Sequence, residues 1–88
     1  MLEVEFGRHA RKVFKRLPAK QMGQITRKVE ALAQNPFPQD SRLLSWFPVH
    51  RVDIGEYRII YYVEDKLYVP IVGKRNDDEV YRKLKRME

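Results

Sequence analysis

Val49-His50-Arg51-Val52-Asp53-Ile54-Gly55-Glu56-Tyr57-Arg58-Ile59-Ile60-Tyr61-Tyr62-Val63 is the stretch on which the fold turns. Val49 to Ile54 alternates in polarity, the period of a half-buried strand, and Tyr57 to Val63 is rich in β-branched and aromatic residues that suit a pleated surface. Gly55-Glu56 between them reads as a two-residue turn. With Gly at its first central position the turn is type II′, and the strand register follows. Ile54 then faces Tyr57, Asp53 faces Arg58, Val52 faces Ile59 and Arg51 faces Ile60. Alternation puts Arg51, Asp53, Arg58, Ile60 and Tyr62 on one surface and Val52, Ile54, Tyr57, Ile59, Tyr61 and Val63 on the other. The second set is the more apolar and is expected to pack on helices. The first faces outward or into a cleft. An exposed Asp53–Arg58 pair contributes at most about 1 kcal/mol, and such pairs are commonly just solvated cross-strand contacts.

Downstream, Asp65-Lys66 marks a turn, and Leu67 to Val72 is a third strand whose Pro70 calls for an edge position or a bulge. Asn76, with Glu79 three residues on, has capping-box spacing for a last helix with Val80, Leu84 and Met87 inward. Upstream lies a loop from Gln39 to about Pro48, in which Trp46 and Phe47 read as tucking the loop into the core. Before it, Met22, Ile25, Val29 and Leu32 recur at helical spacing, and Asn35-Pro36-Phe37-Pro38 stops that helix. Ala10, Val13, Phe14 and Leu17 mark an earlier helix, which Pro18 ends or interrupts while being free to begin the next. Leu2 to Phe6 alternates as a first strand. The order is β-α-α-β-β-β-α. The expected fold is α+β: an antiparallel β-sheet with an N-terminal helical hairpin on one face and a short C-terminal helix, the helices sharing that face.

The chain has 88 residues, enough for a single domain spanning 1–88 with one modest core. Eighteen Lys and Arg against twelve Asp and Glu leave a net charge of +6, which suits a nucleic acid or an acidic protein. Cysteine is absent, which excludes thiol chemistry and disulfides and makes a reducing cytoplasm the expected location. The start, Met-Leu-Glu-Val-Glu-Phe, is too short and charged for a signal peptide, and no apolar run approaches the roughly 20 residues of a membrane span. Two histidines without cysteine argue against structural zinc.

The C-terminal half reads Gly55-Glu56-Tyr57-Arg58-Ile59-Ile60-Tyr61, then Gly73-Lys74-Arg75, then Glu79-Val80-Tyr81. This resembles the RelE/ParE toxin superfamily, whose members carry a G-x-Y-R-ψ-ψ-Y strand with ψ aliphatic. The added Gly-Lys-Arg and nearby tyrosine are similar to the RelE branch. The resemblance spans nearly the whole chain, including the basic hairpin and its Asn-Pro stop. It implies an mRNA interferase that cuts message in the ribosomal A site. It also implies a cognate antitoxin that neutralises the toxin in a hetero-oligomeric complex. By the same resemblance Arg58, Arg75 and Tyr81 fall on functional positions, and Arg51 falls where the family commonly has a basic residue.

Cutting RNA without a metal or other cofactor means attack by a 2′-hydroxyl on the adjacent phosphate. That step needs a proton acceptor, positive charge around phosphorus and help for the leaving 5′-oxygen. Arg58 and Arg75 suit the second task, since guanidiniums fork onto phosphate oxygens. Tyr81 could stack on a base or orient the 2′-hydroxyl. Lys74, Arg51 and Tyr62 are candidate RNA contacts. Asp53 departs from the family pattern, standing where many relatives have a second basic residue. Three roles stay open for it: ion-pair partner of Arg58, general base, or bystander. His50 is a tempting proton shuttle, yet alternation turns it towards the core with Val52 and Ile54. His9 belongs to the basic first helix and is expected to be exposed. The basic run from Arg8 to Lys28 suits either ribosomal RNA or plain solvent. Competing functions are a ParE-like inhibitor of DNA gyrase that cuts nothing, and an inactive homologue that only binds.

Overall fold

The computed structural model of the chain describes residues 1–44, 48–75 and 79–86. Trp46, Phe47, the Asn76 cap and Met87 lie outside the described residues. The elements are β1 (Val4–Phe6), α1 (Arg8–Arg16), α2 (Ala19–Gln34), β2 (Arg42–Leu43), β3 (His50–Ile54), β4 (Tyr57–Val63), β5 (Leu67–Lys74) and α3 (Glu79–Arg86). They form one five-stranded sheet in the order β1-β5-β4-β3-β2.

The β3–β4 register is the one the turn demands, with Ile54 opposite Tyr57, Asp53 opposite Arg58 and Arg51 opposite Ile60. Gly55 has φ +57°, the left-handed sign required at the first position of such a turn. β4 pairs antiparallel with β5, but the register slips between Ile60 and Tyr62: Ile60 faces Ile71 whereas Tyr62 faces Tyr68. β5 thus carries one extra residue around Pro70, which sits at a bulge in an interior strand rather than on an edge. The sheet is antiparallel except where β1 runs parallel to β5, with Val4 opposite Leu67 and Phe6 opposite Val69. Alternation cannot distinguish these two directions, because it records faces and not neighbours. Gly7, still extended after β1 and bonded through its N–H to the Val69 carbonyl, lies so close to β5 that a Cβ there would stand 3.1 Å from the Pro70 Cα. Only glycine fits that approach without moving backbone.

Two apolar layers flank the sheet. On one side Ala10, Ile25, Val29 and Leu32 of the helical hairpin pack on Val52, Ile59, Tyr61, Leu67, Val69 and Val72. Phe6 closes this layer edge-to-face on Phe14, ring centroids 5.4 Å apart. Tyr61 is fully buried, and its hydroxyl donates to the Pro36 carbonyl at 2.5 Å, so the Asn-Pro stop is tied to the sheet centre. On the other side Val80 and Leu84 of α3 pack on Ile60 and Ile71 with Leu44 and Val49. The three helices therefore do not share one face, as economy alone would suggest. The reason is the run Ile59-Ile60-Tyr61, buried at three consecutive positions, which marks a strand covered on both sides. The run itself is visible in the sequence, but which element covers its second side is not.

Candidate functional site

The site grows from the β3–β4 pairing. Asp53 and Arg58 are direct cross-strand partners, and the Arg58 guanidinium grips the carboxylate side-on. Its Nε donates to Oδ1 at 2.7 Å and its Nη2 to Oδ2 at 3.1 Å. The Arg58 Nη1 donates to the Tyr81 hydroxyl at 2.7 Å, with the guanidinium carbon 5.4 Å from that ring's centroid. Tyr81 gets there because α3 docks Val80 and Leu84 on the outer face of the sheet, with the phenol packed against that layer. Arg51, two residues before Asp53 and so on the same face, places Nη1 4.0 Å from Oδ2. Arg75 follows β5 and places Nη1 3.9 Å from the same oxygen. The Arg75 backbone N–H donates to the Glu56 carbonyl at 3.0 Å, anchoring it to the β3–β4 turn. That anchor is main-chain, so no residue type announces it.

Arg51, Asp53, Arg58, Arg75 and Tyr81 thus come together. Lys74 and Tyr62 do not join them. The bulge reverses the alternation of β5, so Lys74 pairs with Tyr57 and lines a separate groove with Lys12 and Arg16 of α1. Tyr62 stacks on Tyr68 with centroids 5.0 Å apart, and four residues along β4 put it roughly 13 Å from Arg58. The His50 ring stacks on Tyr61, centroids 5.6 Å apart, and lies tilted against Phe37 at 4.8 Å. It is packed at the rim of the core, with a buried Nδ1 that finds no hydrogen-bond partner among the described residues. His9 is exposed on α1.

Among the described residues, three guanidiniums around one carboxylate leave two surplus positive charges. The Arg58 hydrogen bond pulls the Asp53 carboxyl below the usual carboxylate range; partial burial opposes this, and the charges of Arg58, Arg51 and Arg75 reinforce it. The Arg58 pKa is raised in turn, chiefly by the hydrogen bond to Asp53. At neutral pH the site is a fixed carboxylate inside an arginine cage, beside a phenol. Such a cage attracts an oxyanion with more than one acceptor oxygen. Among the described residues no three His, Cys, Asp or Glu side chains gather as a metal site, and no helix is long and apolar enough to cross a membrane.

A family model described as the ParE toxin of the type II toxin-antitoxin system parDE matches residues 4–79. No curated protein matches the chain. Among solved structures, the isolated Escherichia coli RelE toxin is 25% identical with a TM-score of 0.75, each chain covered over 100% of its length. An arginine-to-alanine double mutant of E. coli RelE in the free state is 22% identical with a TM-score of 0.81, covering 99% of this chain and 98% of that one. A chain of the intact E. coli RelBE toxin-antitoxin complex is 20% identical with a TM-score of 0.74, covering 86% of this chain and 99% of that one.

Proposed function

From the premise that this chain belongs to the ParE toxin family of type II toxin-antitoxin systems, we propose that it is a metal-independent endoribonuclease that cuts mRNA and so inhibits translation. The observation that carries the reading is the bond from Arg58 to Tyr81, with Arg51 and Arg75 gathered on the same carboxylate. The likeness to RelE, over the full length of both chains, supports the same branch.

In this reading Arg58 and Arg75 hold the scissile phosphate and neutralise the charge that builds on its oxygens as the 2′-hydroxyl attacks. That hydroxyl passes its proton to the Asp53 carboxylate; the bond to the 5′-oxygen breaks, that oxygen takes a proton from water, and a 2′,3′-cyclic phosphate remains. Arg51 adds to the field. Tyr81 stacks on a neighbouring base or orients the attacking hydroxyl, its own position set by Arg58. Lys74 and the basic faces of α1 and α2 engage flanking backbone in the ribosomal A site. A cognate antitoxin, such as the partner named for the RelBE complex, lays an acidic segment over these basic surfaces in the cytoplasm and blocks RNA. Primer extension on mRNA from expressing cells tests the reading. Codon-phased cuts are the expected result, and intact message under growth arrest overturns it.

A second reading has its own support. The family model is that of ParE, and Asp53 occupies the arginine that a nuclease would need. A gyrase inhibitor that cuts nothing would accumulate cleaved gyrase–DNA complexes instead of phased mRNA ends.

A further inference from the structure

We infer that the three arginines frame a phosphodiester site that the free chain fills with its own Asp53 carboxylate, so that a nucleic acid binds by displacing Asp53 from Arg58. The inference rests on the arginine cluster being the nucleic-acid site, which it shares with the proposed function, but it does not require that anything be cut.

The geometry separates this pair from an ordinary cross-strand contact. Arg58 presents the side-on fork, Nε and Nη2, that arginine uses on phosphate, and both prongs end on Asp53. Arg51 and Arg75 reach the same Oδ2 at only 4.0 and 3.9 Å, beyond hydrogen-bond length. A planar carboxylate therefore satisfies one guanidinium fully and two partly. A tetrahedral phosphate offers its oxygens in more directions and can meet all three. The surroundings permit the exchange. Asp53 is 27% exposed at the side-chain level, so it can turn to water when released, and Arg75 is 54% exposed and can close on an incoming group. Arg58 is the most enclosed of the three at 14%. Its bond to Tyr81 holds it in place while its partner changes. Asp53 in this role keeps the arginine extended and the cage assembled before substrate arrives, and competes with anions too weak to replace it.

The test is titration calorimetry with an oligonucleotide of 2′-deoxy sugars, which lacks the hydroxyl needed for cutting, and separately with inorganic phosphate. Removing one negative charge from the cage in Asp53→Asn is expected to tighten oligonucleotide binding about tenfold, and Arg58→Ala added to it should abolish the gain. Equal or weaker binding by folded Asp53→Asn overturns the inference. The wild-type protein gives an independent readout should that variant not fold. The Asp53 carboxylate carbon resonance should move when the oligonucleotide saturates the protein, and an unmoved resonance at saturation also overturns the inference. Tighter binding without mRNA cleavage would remove the nuclease reading and leave this site. Codon-phased cleavage with unchanged Asp53→Asn binding would do the reverse.

Discussion

If the proposed nuclease function holds, Arg75→Ala should separate cutting from folding more cleanly than any other change in the site. The side chain is 54% exposed, and its one ion pair among the described residues, to Asp53, is 3.9 Å long. An exposed pair of that length contributes between zero and about 1 kcal/mol, so the melting temperature should fall by no more than about 4–8 °C. Under the proposed nuclease function, the loss of a guanidinium that would meet the pentacoordinate phosphate is much larger. By comparison with other preorganised donors it should slow cutting by roughly 100- to 1000-fold, about 3–4 kcal/mol of transition-state stabilisation. Arg58→Ala provides the contrast. It removes two hydrogen bonds to Asp53 and one to Tyr81 from a side chain 14% exposed. It strands a carboxylate whose remaining guanidiniums are about 4 Å away. Partial exposure discounts the penalty for a broken buried pair, leaving about 2 kcal/mol of stability. Both variants should cease to inhibit growth, yet only Arg58→Ala should melt well below the wild type. Growth curves at matched expression, primer extension and circular-dichroism melts measure all three quantities. Full cutting by Arg75→Ala would refute the site, and equal melting losses would refute the assignment of Arg58 as the structural centre.

Leu84→Ala, at a side chain 6% exposed between α3 and the sheet, should cost about 2–3 kcal/mol in a chemical denaturation series. Because that contact seats Tyr81, mRNA cutting should drop by more than the loss of folded protein explains. The depressed Asp53 pKa gives a pH signature. A carboxyl held below its ordinary value of 3.8 contributes stability that is complete above that value and is lost as pH falls through the folded one. The stability difference between wild type and Asp53→Asn should therefore be flat from pH 7 to about 5 and shrink below about 4. A difference that instead changes between pH 5 and 7 would assign the titration to another group. Gly55→Ala places a side chain at φ +57° with its Cβ 3.1 Å from the Gln24 Oε1. A loss of about 1–2 kcal/mol is expected by urea denaturation, and no loss would mean that the turn relaxes to another type.

How much was legible in the residues depends on the range of the interaction. Two-residue periodicity and a turn glycine are local, so the β3–β4 hairpin, its register and the pairing of Asp53 with Arg58 follow from fifteen consecutive residues. The same holds for the stripe Ile25, Val29, Leu32, which faces the core in α2. Alternation also placed His50 away from the arginines. What could not be read locally is which surface a distant segment adopts. The extra residue at Pro70 inverts the alternation of β5, which sends Lys74 to the helical side, away from Asp53 and Arg58. A proline announces that some irregularity is present, but not which way it turns the next side chain.

Residue order and period by themselves determined the hairpin, the number of helices, the placement of Arg51, Asp53 and Arg58 on one surface, and the chemistry those groups can offer. Tertiary structure alone decided that β1 lies parallel to β5, that α3 covers the face opposite the helical hairpin, and that Tyr81 and Arg75 reach Arg58 and Asp53. The physical reason is that a strand repeats every two residues and so encodes its own faces. The meeting of groups 23 residues apart, as in Arg58 and Tyr81, depends on burying Ile60 and Ile71 under Val80 and Leu84. That is a global packing choice which no short window of sequence contains.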